Sequence, residues 1–135
     1  MRGFEKISRK QFLKDFGNDE ELYEKIVLPT RSTKNAAGYD IRSMETCVIK
    51  PGESHVIKTG LKVSMNENEF LMLIDRSSFG YKYDVCLSNC VGIIDSDYYN
   101  NEDNEGHFSV KLINSAMKGE DSNDNFFKDF DNAQK

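Results

Sequence analysis

Apolar residues follow two different spacings along the chain, and the change of spacing divides it into parts. The first stretch, FEKISRKQFLKDFG, carries apolar residues at helical spacing, and Ser8 with Gln11 fits a capping box at a helix start. Gly17 suits a helix end, and a second short helix is predicted over residues 19–25. We therefore expect residues 1–25 to form an N-terminal helical extension.

The pattern changes to β-strand alternation after residue 25. Residues 61–65 alternate apolar and polar side chains behind a turn predicted at Pro51-Gly52, and FSVKLIN alternates in the same way. The run FLMLID is apolar throughout, which predicts a strand buried on both faces. Short strands with frequent turns predict an all-β barrel or sandwich over residues 26–116. Residues 117–135 are acidic and polar, and predict a tail or a truncated remainder.

Length and charge restrict the class of protein. A chain of 135 residues suits one domain, and 30% charged residues with a net charge of −5 argue against a nucleic-acid binder. No run reads as a membrane span or a secretory signal. The few cysteines fit reduced thiols in a cytoplasmic protein. A zinc site from Cys86, Cys90 and His107 is disfavoured, because there is no CxxC pair and no clear fourth ligand.

Three segments place glycine and polar residues at the end of an apolar run: AAGYDI, DRSSFG and NCVGIIDSDYY. In the second, Arg76 with two serines offers a fork of donors and two hydroxyls, as a phosphate cradle would. These residues alone favour an ordinary strand-to-turn junction, since serine and glycine form turns. In the third, Asp95 follows directly on apolar residues, so its carboxylate either caps a turn or is kept for chemistry.

In this order and spacing, the three segments resemble those of the trimeric dUTPase family, all-β enzymes that hydrolyse dUTP to dUMP and pyrophosphate. LPTRSTKNAAGYDIRS is similar to the first family motif with its lead-in, and PGESHVIKTGLKVSM to the strand pair that follows. RSSFG is similar to the second motif and NCVGIIDSDYY to the third. The resemblance covers roughly residues 26 to 114. It implies a dUTPase-like β-barrel or jelly-roll behind the short N-terminal helical segment.

The resemblance implies a role for each matching residue. Asp95 corresponds to the catalytic aspartate, which activates the water that attacks the α-phosphorus. Tyr98 corresponds to the aromatic ring that stacks on the deoxyribose and excludes a 2′-hydroxyl, and Asn89 to the amide that reads the uracil edge. Asp40 corresponds to the carboxylate that holds Mg²⁺ through water. The remaining substrate contacts are expected from Arg76, Ser77, Ser78, Gly80, Gly92 and Ile94.

The same resemblance implies the partners. We expect dUTP and dUMP as ligands, Mg²⁺ as cofactor, and a homotrimer with each site shared between neighbouring chains. No nucleic-acid or membrane partner is expected, and the expected location is the cytoplasm.

Two family motifs are not found. The fourth, a glycine-acid turn closely followed by Ala-Gln, is missing, and no glycine follows Gly119 to build the fifth, a glycine-rich C-terminal arm. The chain is then either the front part of a longer protein or a natural short form. If it ends at Lys135, we expect dUMP binding to survive and dUTP hydrolysis to be weak, because the phosphate lid is absent.

Two other functions stay open at this point. One is a non-catalytic dUTPase-like module that binds nucleotides or regulates a partner. The other is an enzyme like the dCTP deaminases, which share the fold and an Arg-Ser-Ser segment. The deaminases lack the AGYD and GIIDSDYY patterns of this chain, so the dUTPase function is favoured.

Overall fold

The computed structural model describes residues 2–117, and the predicted tail lies outside them except for Met117. Within these residues, three short helices accompany the strands: α1 (Arg9–Phe16), α2 (Glu20–Glu24) and α3 (Ser77–Tyr83), with a 3₁₀ helix at Ser96–Tyr98. The strands are β1 (Gly3–Lys6), β2 (Ser54–Lys58), β3 (Leu61–Ser64), β4 (Phe70–Leu73), β5 (Val85–Leu87), β6 (Gly92–Asp95) and β7 (Ser109–Asn114). None of the helices among residues 2–117 is both long and apolar enough to cross a membrane.

The strands form three antiparallel sheets, ordered β1–β3, β2–β7–β5 and β4–β6. In the register, Ile57 of β2 faces Val110 of β7, and Leu71 of β4 faces Ile94 of β6. Strands β5 and β6 follow one another in the chain but join different sheets, so the turn between them is not a closed hairpin. The all-β prediction is confirmed.

One hydrophobic core joins the three sheets and two of the helices. Its members come from β2, β3, β4, β5 and β7, with Phe12 from α1 and Phe79 from α3. The alternation in FSVKLIN places Phe108 and Leu112 inside at 2% exposure each, as predicted. The predicted turn at Pro51-Gly52 is present. The buried members are Ile7, Phe12, Ile26, Ile49, Ile57, Leu61, Val63, Leu73, Phe79, Val85, Leu87, Phe108 and Leu112.

The N-terminal helix is shorter than its pattern predicted. Residues 3–6 form β1 and pair with β3, because a strand there completes the edge of a sheet, which overrides local helical spacing. Helix α1 begins after Ser8, whose hydroxyl accepts the Gln11 N–H at 3.1 Å. The Gln11 side chain donates to Asp15 instead of returning to Ser8, so the capping box is half formed. Gly17 ends the helix with φ +86°, and α2 lies where it was predicted.

The apolar run FLMLID is not buried on both faces, which corrects the sequence prediction. Phe70 and Met72 are 56% and 52% exposed, whereas Leu73 is buried in the core. Ile93 on β6 faces Met72 across the ribbon and is 51% exposed. The β4–β6 ribbon therefore has an inner apolar face in the core and an outer apolar face open in the single chain. We call Phe70, Met72 and Ile93 the outer ribbon face.

Candidate active site

The carboxylate of Asp95 stands at the end of β6, beside Phe70 at the start of β4. The residue opens the 3₁₀ helix, yet its side chain makes no capping hydrogen bond. It is exposed and forms no hydrogen bond or ion pair with any residue among 2–117. A structural cap would use its oxygens, so the geometry argues against capping by this side chain, and the catalytic role of Asp95 stays a prediction.

Arg76 lies at the opposite end of the ribbon, three residues after Leu73, and its guanidinium is 3.4 Å from Asp40 Oδ2. The loop that carries Asp40 is held by an isolated bridge, in which the Asp40 N–H donates to the Thr30 carbonyl at 2.9 Å. Asp40, Arg76, Ser77 and Gly38 line a cavity of about 660 Å³. The apolar part of its lining includes Ile57, Leu71, Leu73, Phe79, Leu87, Val110 and Leu112.

The DRSSFG segment does not form the simple turn that its composition alone favoured. It opens helix α3, with Arg76 as the N-cap residue and Ser77 and Ser78 in the first turn. Ser78 is half-buried and Ser77 exposed. Gly80 follows on the helix surface, where an added Cβ would meet nothing closer than Asp75 Oδ2 at 3.9 Å. This helix was not predicted, because a glycine within a seven-residue segment lowers helix propensity.

A second, smaller pocket of about 260 Å³ lies in the open turn between β5 and β6. Asn89 and Gly92 line it, with Leu87 and Ser88 on the same turn. Pockets for drug-sized ligands run about 300 to 1,000 Å³, so this one suits a fragment the size of a pyrimidine base. The Asn89 carboxamide is exposed and bonds to none of residues 2–117, so its donor and acceptor are available.

Gly92 allows the close approach of the two ribbon strands beside this pocket. A Cβ at Gly92 would lie 3.1 Å from the Cβ of Leu73, which is too close for most side chains. Ile94 is half-buried on the inner ribbon face opposite Leu71 and lines neither pocket. Its side chain is therefore a support for the strand, and only its backbone remains as a substrate contact.

Tyr98 ends the 3₁₀ helix and is half-buried against the core. Its hydroxyl donates to the His107 carbonyl at 3.2 Å and accepts from Asn104 Nδ2 at 2.6 Å. The ring is thus tied at its tip to the loop that follows.

The single chain does not gather these residues in one place. Arg76, Ser77 and Ser78, which follow the Leu73 end of the ribbon, form with Asp40 what we call the Arg76 group. Asp95 and Tyr98, at the far end of β6, form what we call the β6 group, whereas Asn89 lies in the smaller pocket beside Leu73 and Gly92, at the Arg76 end of the ribbon. Arg76 comes six positions after Phe70, the residue beside Asp95, and the strand from Phe70 to Leu73 alone spans about 10 Å.

The described residues contain no cluster of three or more His, Cys, Asp or Glu side chains that could enclose a metal ion. Asp40 is a single half-buried carboxylate, which suits Mg²⁺ held mainly by water and phosphate oxygens. His107 is unsuited to the zinc site considered above, since Nδ1 contacts Asp15 and Nε2 accepts from Gly60 N–H.

Sequence patterns missed the residues that reach these sites from distant elements. Lys111 of β7 lines the smaller pocket, and its carbonyl accepts the Ser88 N–H at 2.8 Å. Asn104 and His107 contact Tyr98 from the loop that follows it in the chain. No local motif marks them; their part follows from strand pairing and loop closure, which only the fold defines.

The dUTPase family model matches residues 24–119 of the chain. Deoxyuridine 5'-triphosphate nucleotidohydrolase of Lactococcus lactis is 45% identical over 114 residues, covering 84% of this chain and 69% of that protein. The chain spans between 57% and 69% of the length of this and similar curated relatives.

The chain is also similar to solved structures of dUTPases. The dUTPase of Streptococcus mutans superposes with a TM-score of 0.66 at 42% identity, covering 84% of this chain and 80% of that one. The dUTPase of phage phi11 of S. aureus gives a TM-score of 0.61 at 28% identity, covering 87% and 61%. That structure is described as showing the coordination of a structural Mg(II) ion.

Proposed function

The chain belongs to the dUTPase family, and from that premise we propose that it hydrolyses dUTP to dUMP and pyrophosphate. The observation that carries the proposal is the exposed, unpartnered Asp95 carboxylate at the open end of β6. A carboxylate that no neighbour among residues 2–117 occupies keeps its lone pairs for a water molecule. Asp95 is therefore the general base, which orients that water and takes its proton as the α-phosphorus is attacked.

The Arg76 group holds the phosphates in this proposal. Arg76 supplies a planar fork of donors that matches phosphate oxygens, and the hydroxyls of Ser77 and Ser78 add neutral donors without extra charge. Arg76 also pairs with Asp40 at 3.4 Å. A triphosphate would compete for the guanidinium, and the Asp40 carboxylate would then turn toward solvent. The Asp40–Arg76 pair thus balances the two opposite charges on this side of the site.

The smaller pocket holds the base. Asn89 offers one donor and one acceptor to the uracil edge, and Gly92 and Ile94 contribute backbone groups. The pocket is small and its wall at Gly92 is tightly packed, so a 5-methyl group has little room. Steric exclusion of this kind discriminates against thymine. Tyr98 then meets the sugar with its ring.

Mg²⁺ fits this site as a water-mediated ion of Asp40 and the phosphates. When bound, it would offset the negative charge that builds on the pyrophosphate leaving group. Asp40, the half-buried carboxylate beside Arg76, is the residue we assign to its hydration shell.

The separation of the two groups within one chain leads us to propose a homotrimer with shared sites. Asp95 and Arg76 lie at opposite ends of the ribbon, so a complete site needs the Arg76 group of one chain and the β6 group of another. The outer ribbon face is apolar and continuous between them, as an interface core would be. Packing copies through this face would bury Met72 and Ile93.

The test of the proposed function is nucleotide specificity with product detection. Incubation with dUTP and Mg²⁺ should release pyrophosphate, whereas UTP and dTTP should be poor substrates. Calorimetric titration should give the same preference for dUMP over UMP and dTMP. Ammonia released from dCTP would instead identify a deaminase, and dUMP binding without turnover a non-catalytic module.

A further inference from the structure

The loop Asn100–His107, which we call the clamp loop, closes back on Tyr98 at both its backbone and its ring tip. Asn104 Nδ2 donates to the Tyr98 hydroxyl at 2.6 Å, and the hydroxyl donates to the His107 carbonyl at 3.2 Å. Asn101 Nδ2 donates to the Tyr98 carbonyl at 2.7 Å. Because its proton is already given to His107, the hydroxyl has none to offer a ligand.

The clamp loop leaves little room for Tyr98 to move. Gly106 has φ +86°, and a Cβ there would lie 2.7 Å from the Tyr98 carbonyl oxygen, so backbone meets backbone without a side chain between. The Asn104 carboxamide also fixes the loop itself, since Oδ1 accepts the Gly106 N–H at 3.0 Å. It accepts from Asn101 Nδ2 at 2.8 Å as well.

Charged groups then anchor the clamp loop to α1 and β3. Lys62 is buried on β3, and its Nζ reaches Glu105 at 3.1 Å and Asn100 Oδ1 at 2.7 Å. The Glu105 carboxylate also accepts the Ser8 N–H at the start of α1. Burial acts to raise the pKa of Glu105, but the hydrogen bonds from Ser8 and Lys62 outweigh it and hold that pKa below its usual value.

His107 gives the loop its second anchor. Its Nε2 accepts the Gly60 N–H at 2.9 Å, so the neutral ring must carry its proton on Nδ1 and donate it to Asp15 Oδ2 at 2.6 Å. The residue is 6% exposed. The carbonyl that holds Tyr98 is therefore part of a residue whose ring is fixed from both sides.

We propose that Asn104 is a positioning residue for sugar discrimination and acts through the Tyr98 hydroxyl; the proposal rests on the proposed function. Since the hydroxyl has no proton for the sugar, Tyr98 can reject a 2′-hydroxyl only by the place its ring occupies. A steric wall discriminates only as well as it resists displacement. Asn104 supplies that resistance. The clamp loop in turn connects the Tyr98 ring to helix α1, through the contact of Glu105 with Ser8.

The test compares the dUMP and UMP affinities of the full chain by calorimetry in four forms: wild type, Asn104→Ala, Tyr98→Phe and the double variant. Tyr98→Phe keeps the ring but removes the hydroxyl, so it breaks the same hydrogen bond to Asn104 from the side of residue 98. We expect either single change to lower the dUMP-to-UMP affinity ratio about five- to tenfold, as for one hydrogen bond. The ratio should fall because UMP gains affinity relative to dUMP. Asp103→Ala, exposed on the same loop, is the control and should leave the ratio unchanged.

The double variant separates positioning from general loosening. If Asn104 acts through the hydroxyl, adding Asn104→Ala to Tyr98→Phe should change the ratio no further. Additive losses, or an unchanged ratio in either folded single variant, would overturn the inference. If Asn104→Ala does not fold, the dUMP-to-UMP affinity ratio of Tyr98→Phe decides, because this variant lacks the same hydrogen bond. An unchanged ratio would then overturn the inference. A wild type that binds no dUMP would instead contradict the proposed function, whereas a selective wild type with unaffected variants contradicts only this inference.

Discussion

The Arg76 group and the β6 group hold their carboxylates in opposite ways. Asp40 is paired with Arg76 at 3.4 Å, whereas Asp95 is exposed and has no partner among residues 2–117. Tyr98 of the β6 group is braced by a loop with charged anchors, while Asp40 is held through its backbone by the bridge to Thr30. The phosphate side thus pairs its charged side chains with one another, and the sugar side is braced by the clamp loop.

The difference follows from what each group must do. An anion site can rearrange when a charged ligand arrives, because the ligand's own charge supplies the driving force. A steric filter must already be in place, since misplacement by about 1 Å is costly. Substitutions in the two groups should therefore fail in different ways.

The largest effect is expected from Asp95→Asn. The amide keeps the shape of the side chain but cannot take a proton from water, so hydrolysis should fall by about 10² to 10⁴. Binding of dUMP should change little, since Asp95 lines neither pocket. Pyrophosphate release measures hydrolysis, and calorimetry on the same preparation measures dUMP binding. If this variant hydrolyses dUTP as fast as wild type, Asp95 is not the general base and its role is structural.

The next largest effect is expected from Met72→Lys on the outer ribbon face. A cation at the centre of an apolar interface costs several kcal/mol to bury, so the assembly should dissociate and hydrolysis should be lost. The fold should survive, because Met72 is 52% exposed in the single chain. Sedimentation measures the assembly and circular dichroism the fold.

A matched control for Met72→Lys exists on β2. Val56 is 50% exposed and lies outside the ribbon, so Val56→Lys should leave the assembly intact. Equal sedimentation of the Met72→Lys variant and wild type would remove the outer ribbon face from the interface.

A smaller effect is expected from Arg76→Ala. Loss of a charge-assisted hydrogen bond to phosphate is worth about 1.5 to 3 kcal/mol, which weakens dUTP binding roughly 10- to 100-fold. The apparent KM for dUTP should rise while kcat changes less, whereas Asp95→Asn should lower kcat; dUMP binding should change little in both variants. Steady-state kinetics over a wide dUTP range separates the two. A lowered kcat with unchanged KM would place Arg76 in the chemical step.

The smallest effect concerns the anchor of the clamp loop. Burial acts to raise the pKa of Asp15, but hydrogen bonds from Gln11 and His107 hold it below its usual 3.8. A carboxyl whose pKa is lower in the folded than in the unfolded protein stabilises the fold at pH values above its unfolded-state pKa. This stabilisation is lost as the pH falls through the folded-state pKa. Asp15→Asn should therefore cost about 1 kcal/mol at neutral pH. In thermal melts the difference should shrink below about pH 3.8, and a pH-independent difference would contradict this linkage.

Sequence patterns predicted the all-β fold, helix α2 and the residues of both groups, because these depend on local spacing and motif order. They failed where pairing between distant segments decided the outcome. Residues 3–6 form a strand because β3 offers an edge, and β4 exposes Phe70 because its outer face has no cover in the single chain. Helix α3 was missed because Gly80 lowers its propensity.

The candidate site could be predicted residue by residue but not as an arrangement. Motif order identifies Asp95 and Arg76 without showing that they lie at opposite ends of one ribbon. The bracing of Tyr98 by Asn104 depends on loop closure, which leaves no periodic signal. The assigned roles, the domain bounds and the cytoplasmic location stay predictions.

The most direct test of shared sites is complementation between two weakened chains. Asp95→Asn and Arg76→Ala chains are unfolded together, refolded as an equal mixture, and assayed at low dUTP. If each site takes Asp95 from one chain and Arg76 from another, random mixing should restore about one quarter of wild-type hydrolysis. The same variants mixed after folding are the control for chain exchange. A co-refolded mixture no more active than the mean of its two components would show that each site lies within one chain.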